Sequence, residues 1–132
     1  MKTRSLVMLL LLVGAVVVAV LPTYAHHSFA AGYFEDKIQR IEGDIAVVMF
    51  RNPHSWIHVD AKDEASGKVE RFSIEWGSGA QLTQQGVSRN TLKAGDHVVV
   101  VGNPGRTAAE RRMRMRQIER PADGWKWGGT FD

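Results

Sequence analysis

The chain has 132 residues, 44% of them hydrophobic and 23% charged, with a formal net charge of +3 and no cysteine. That length allows one small domain with one core, and the lack of cysteine excludes disulfides, thiolate metal sites, thiol catalysis and a lipid-modified cysteine anchor. Lys2 and Arg4 belong to a hydrophobic leader, so residues 26–132 are close to neutral and the overall charge is no argument for a polyanionic partner.

The leader has three parts. Lys2 and Arg4 precede an apolar run from Leu6 to Leu21, and Thr23 and Ala25 place small residues just before His26-His27-Ser28-Phe29. This layout predicts a signal peptide over residues 1–25, cleavage after Ala25, and a periplasmic or secreted product. The rival, an uncleaved anchor, is disfavoured because the run is shorter than the roughly 20 residues of a spanning helix. Pro22 also interrupts it.

From Ile38 the apolar residues recur every second position. Ile41, Gly43, Ile45, Val47 and Met49 share one predicted strand face, with a bend expected at Gly43. Arg51-Asn52-Pro53 breaks the run. A second strand then sets Ser55, Ile57, Val59 and Ala61 against His54, Trp56, His58 and Asp60. The polar stretch Lys62–Gly67 reads as a hairpin turn, and Val69–Trp76 as a third strand with Phe72, Ile74 and Trp76 inward. Ser78 is placed to cap a short helix over Ala80–Gln85, which Gly86 stops. A turn at Lys93–Asp96 leads into a β-branched strand, His97–Val101, followed by a turn over Gly102–Arg106. The last predicted strand is Arg111–Glu119, where Met113 and Met115 oppose Arg112, Arg114 and Arg116.

Five strands with one short helix between the third and fourth is the element order of an OB-like β-barrel, so the fold class is all-β. Closure would also remove exposed strand edges, which suits an exported monomer; a small open sandwich is the alternative. The barrel domain is expected over residues 26–120, with residues 121–132 a Gly- and Trp-rich tail of no clear period.

His26-His27-Ser28-Phe29 after the leader, Asn52-Pro53-His54 with Trp56, and Leu92-Lys93-Ala94-Gly95-Asp96 followed by Val98, Val100, Gly102 and Pro104 carry a resemblance. The chain resembles a family of small exported bacterial proteins classed as a domain of unknown function. That likeness implies an exported single domain and brings no activity with it.

The functional argument therefore rests on side chains. Cleavage after Ala25 would give His26 a free α-amine, of pKa roughly 8, beside its own imidazole and that of His27. An amine and imidazoles together chelate late first-row ions, copper before zinc, in the manner of half a histidine brace. A further ligand must come from the fold, and His54, at a Pro-fixed turn, is the candidate. His58 shares its face, but four strand residues span about 13 Å, too far to ligate the same ion. His97 is a weaker candidate. The expected metal set is therefore His26, His27 and His54, with copper or zinc bound.

A second reading uses Trp56, His58, Arg112, Arg114 and Arg116 as a surface for an envelope protein or small ligand, with no metal. On a cytosolic OB-fold such arginines and aromatics would suit single-stranded nucleic acid, which export argues against. The tail tryptophans, Trp125 and Trp127, are expected to fold back over Trp56. No G-x-S-x-G motif or phosphate loop is present. Glu75 is a carboxylate in an apolar setting without an evident partner. The chain thus reads as a binding module and not as an enzyme.

Overall fold

The computed structural model describes residues 29–131. His26, His27 and the leader lie outside the described residues. Among the described residues, no helix is long and apolar enough to cross a membrane.

Strands β1 (Gln39–Met49), β2 (Trp56–Lys62) and β3 (Val69–Glu75) form an antiparallel meander. A short helix, α2 (Gly79–Gln84), separates β3 from β4 (His97–Pro104); a one-turn helix, α1 (Phe29–Gly32), lies ahead of β1. β4 returns beside β1, and β5 (Arg112–Arg120) pairs antiparallel with β4. Three parallel pairs between β3 and β5, from Ser73↔Arg112 to Glu75↔Arg114, close the barrel. This is the five-stranded OB-like barrel expected from the element order.

The period-two pattern accounts for the core. Ile57, Val59, Ile74, Val98, Val100 and Met113 are sealed from solvent inside the barrel. Burying each such side chain is worth about 1.5–3 kcal/mol. At one end Leu82, Val87 and Leu92 complete the core. The helix start follows its residues: Ser78 Oγ accepts from the Gln81 N–H at 3.1 Å, and Gln81 Oε1 accepts from the Ser78 N–H at 3.2 Å. This reciprocal capping box satisfies two otherwise orphaned donors. Gly86, at φ +81°, ends the helix in a conformation that glycine adopts without strain.

Three expectations need correction. The face of β1 does not run unbroken to Met49, because the register shifts between Ile45 and Val47. One extra residue flips every later side chain, leaving Val47 40% exposed while Val48 packs on the core. The irregularity is not at Gly43, which serves a different need: a Cβ there would lie 2.1 Å from the Asp60 carbonyl oxygen. Secondly, β4 runs through Gly102 to Pro104, so no turn begins at Gly102.

Thirdly, the chain beyond Glu119 is not without regular structure. Trp125–Gly128 forms β6, which adds to the outer edge of β5. Its Trp127 packs edge-on against Trp76, ring centroids 5.1 Å apart, and donates to Gln85 Oε1 at 2.9 Å. The tail therefore folds back, but over Trp76 and not over Trp56.

Candidate functional site

The loop between β1 and β2 presents His54, and its backbone is pinned on all sides. Ser55 N–H donates to the Gly77 carbonyl at 3.0 Å, and Trp76 N–H returns a bond to the Ser55 carbonyl at 2.8 Å. Asn52 Oδ1 accepts from the Ala80 N–H at 3.2 Å, and the Arg51 carbonyl accepts from Gly79 at 2.9 Å. Asn52 thus ties the loop to the start of α2. The cis Asn52–Pro53 bond turns the chain, and His54 follows at the lip of a shallow cleft of about 310 Å³. Arg51, Asn52, Pro53, Trp56 and Glu75 line the same cleft.

Behind His54 lies Glu75, the last residue of β3, 8% exposed. His54 Nδ1 sits 3.0 Å from Glu75 Oε1. The contact is within ion-pair range but off hydrogen-bond alignment, and this buried Nδ1 has no hydrogen-bond partner among the described residues. The Tyr33 hydroxyl donates to the other oxygen, Oε2. Burial, reinforced by the Glu75 carboxylate, pushes the Tyr33 phenol well above its ordinary pKa, so it remains a donor. Arg112 Nη2 stands 3.7 Å from the same oxygen, and its guanidinium lies over the Trp56 ring at 5.1 Å.

The segment 29–37 crosses this face as a strap. Tyr33 bridges to Gly105, and the Phe34 N–H donates to the Pro104 carbonyl at 2.9 Å. At its upstream end the Phe29 ring packs edge-on against His54, centroids 6.2 Å apart, and against Phe131 at 6.0 Å. The chain therefore approaches His54 immediately downstream of His27-Ser28.

The remaining sequence-derived candidates fall in different places. His58 faces outward from β2, half-buried, opposite Ser73. His97 lies across from Asp44, Nδ1 to Oδ1 2.7 Å, with Glu42 at 3.3 Å; hydrogen bonds to these two carboxylates raise its pKa. Arg112, Arg114 and Arg116 do not form one free stripe. Arg114 is half-buried, its guanidinium 3.6 Å from the Phe29 ring centroid, and it donates to the Phe131 carbonyl. Arg116 Nε donates to Asn103 Oδ1 at 2.6 Å. Of that set Trp56 lines the cleft, and Arg112 reaches the Trp56 ring and Glu75 from beside it.

Residue reasoning missed Tyr33 altogether and left Glu75 without a partner. Nothing local marks either one, since Tyr33 meets Glu75 across 42 residues of chain. Among the described residues, no three His, Asp or Glu side chains form a metal-ligating group.

The sequence matches a family of unknown function, DUF6152, over residues 14–114. The chain belongs to that family. The matched span takes in His26, His27, His54, Glu75 and Arg112 and ends before Arg116 and β6. No curated protein and no solved structure matches this DUF6152 chain.

Proposed function

We propose that this DUF6152 protein is an exported metal-binding module that holds Cu(II), or Zn(II) in its place. Its ligands are the His26 α-amine, the imidazoles of His26 and His27, and His54. The single observation that carries this reading is the packing of Phe29 on His54. A chain spans at most about 3.6 Å per residue, so His27 is tethered within about 7 Å of the Phe29 Cα. Connectivity therefore leaves the terminal imidazoles able to reach His54.

The donor chemistry fits. Imidazole and amine nitrogens suit Cu(II) and Zn(II), and His54 Nε2 makes no hydrogen bond among the described residues. Metal-bound imidazoles commonly turn their other nitrogen to a carboxylate, and Glu75 occupies that position behind Nδ1. The competing surface reading has less to draw on, because Arg114 and Arg116 are engaged within the fold.

The decisive measurement compares protein starting at His26 with the same protein carrying one extra N-terminal Ala, by Cu(II) titration against a competing chelator. The expected result is micromolar or tighter binding, weakened by about tenfold or more on extension, since the terminal chelate ring is lost. Equal affinity in the two forms overturns the terminal site.

A further inference from the structure

A second cavity, of about 450 Å³, lies beside the turn from β4 to β5, below the strap and away from His54. Lys37, Arg106, Arg111 and Arg112 line it, against one lining carboxylate, Asp63. Its remaining walls are largely apolar, including Phe34, Phe72 and Pro104. Arg111 faces Asp63 and Glu70, and Arg112 faces Glu75 and Glu110, so the unbalanced charge is that of Lys37 and Arg106, at one ring. Lys37 Nζ stands 3.9 Å from the Phe34 centroid, and the Arg106 guanidinium carbon 4.7 Å from it.

Neither cation has a carboxylate within ion-pair distance among the described residues, and Arg106 spends its Nε on the Ala30 carbonyl. Both cations gain from the aromatic face, yet each still lacks a counter-charge in the cavity they line. An anion in that cavity would supply the missing charge.

Arg111 adds a third donor. Its backbone holds a left-handed φ of +46°, unusual for a side chain that is not glycine. Ser73 N–H donates to its carbonyl at 2.9 Å, which fixes that conformation to β3. Its guanidinium makes long contacts, 3.5 Å to Asp63, 3.4 Å to Glu70 and 3.5 Å to the Ala109 carbonyl, and its buried Nε has no hydrogen-bond partner among the described residues.

We infer that this groove binds a small organic anion, a carboxylate or phosphate head carried on an apolar or aromatic body. Lys37, Arg106 and Arg111 hold the head, and the body lies against the apolar wall at Phe34 and Pro104. The inference is independent of the metal reading, and its test is run on chelator-treated protein.

Phenyl phosphate is titrated into the full mature chain and followed by amide NMR shifts, beside the Lys37→Ala/Arg106→Ala double variant and an Arg89→Ala control. Lys37 and Arg106 are exposed, so their loss leaves the core intact. Saturable shifts around residues 104–112, weakened about tenfold or more in the double variant and unchanged in the control, are expected for the loss of two charge-assisted contacts. No saturation at tens of millimolar, on the order of the weakest specific binding, overturns the site, as does an equal loss in Arg89→Ala. A parallel arm uses phosphatidylglycerol vesicles, which carry the same phosphate chemistry in a membrane. Sedimentation with vesicles but no saturation by phenyl phosphate also overturns the small-anion site.

Discussion

His54→Ala lowers the Cu(II) affinity of protein that starts at His26, by at least the roughly 10–100-fold that losing an outer-shell partner costs a metal site. Glu75→Gln lowers it by about that same 10–100-fold factor, although it removes no ligand. The amide keeps the shape of Glu75 and can still accept the Tyr33 hydroxyl, but it carries no charge toward His54 Nδ1. The metal-bound imidazole then has no carboxylate behind its other nitrogen. Competition titrations on both variants, with thermal melts to show that the fold persists, separate the roles. Unchanged affinity in His54→Ala removes that residue from the ligand set. A full loss in His54→Ala with none in Glu75→Gln makes the carboxylate purely structural, serving to fasten Tyr33 and the strap.

Asn103→Ala destabilises the domain by about 2–4 kcal/mol, read as a lower urea midpoint with an unchanged slope. Asn103 is 1% exposed and faces the strap from β4. Its Nδ2 lies within bonding distance of three strap carbonyls, Lys37 at 2.8 Å, Phe34 at 3.0 Å and Glu35 at 3.2 Å. Its Oδ1 takes the Arg116 Nε at 2.6 Å. An alanine leaves the carbonyls without a donor and a charged donor without its acceptor, and the cost of unmet buried groups exceeds the net value of a made bond. Against the 5–15 kcal/mol typical of a small domain, that is a large share. The damage should centre on residues 33–37, so limited proteolysis of the variant is expected to cut there first. Because Tyr33 belongs to the strap, Cu(II) affinity should fall with it. A change below about 0.5 kcal/mol, ordinary for a surface substitution, would mean that other contacts hold the strap.

Much of the barrel was legible because half-buried strands write their burial into alternate positions. Ser55, Ile57, Val59 and Ala61 are buried on one side of β2, and Phe72, Ile74 and Trp76 follow the same rule on β3 and just beyond it. Ser78 and Gly86 mark the limits of α2 by chemistry that acts within a few residues. The register shift after Ile45 and the one between Val101 and Gly102 leave no such trace. A bulge is chosen by the curvature the closed sheet requires, and the flanking residues remain alternately apolar on either side of it. β6 was missed because four residues are too few to show a period, and its pairing comes from the free edge that β5 offers.

The candidate site divides along the same line. Asn52-Pro53-His54 reads as a turn that presents a histidine, since the proline and the amide side chain act locally. The partners of that histidine do not read at all. Glu75 reaches it because β2 and β3 pair Trp56 with Glu75, and Tyr33 because the strap is bonded to β4. The arginines of β5 do alternate with buried Met113 and Met115, but their partners are not local: Arg114 meets Phe29, and Arg116 donates to Asn103 while staying exposed.

The residues in order thus dictate the barrel's strands, the capped helix and the Pro-fixed loop that carries His54, because each depends on neighbours a few positions away. The bulges, the sixth strand, the strap and the grouping of His54, Glu75, Tyr33 and Arg112 arise on closing the sheet. They depend on contacts between residues tens of positions apart, whose cost in loop entropy is met only when the whole barrel forms.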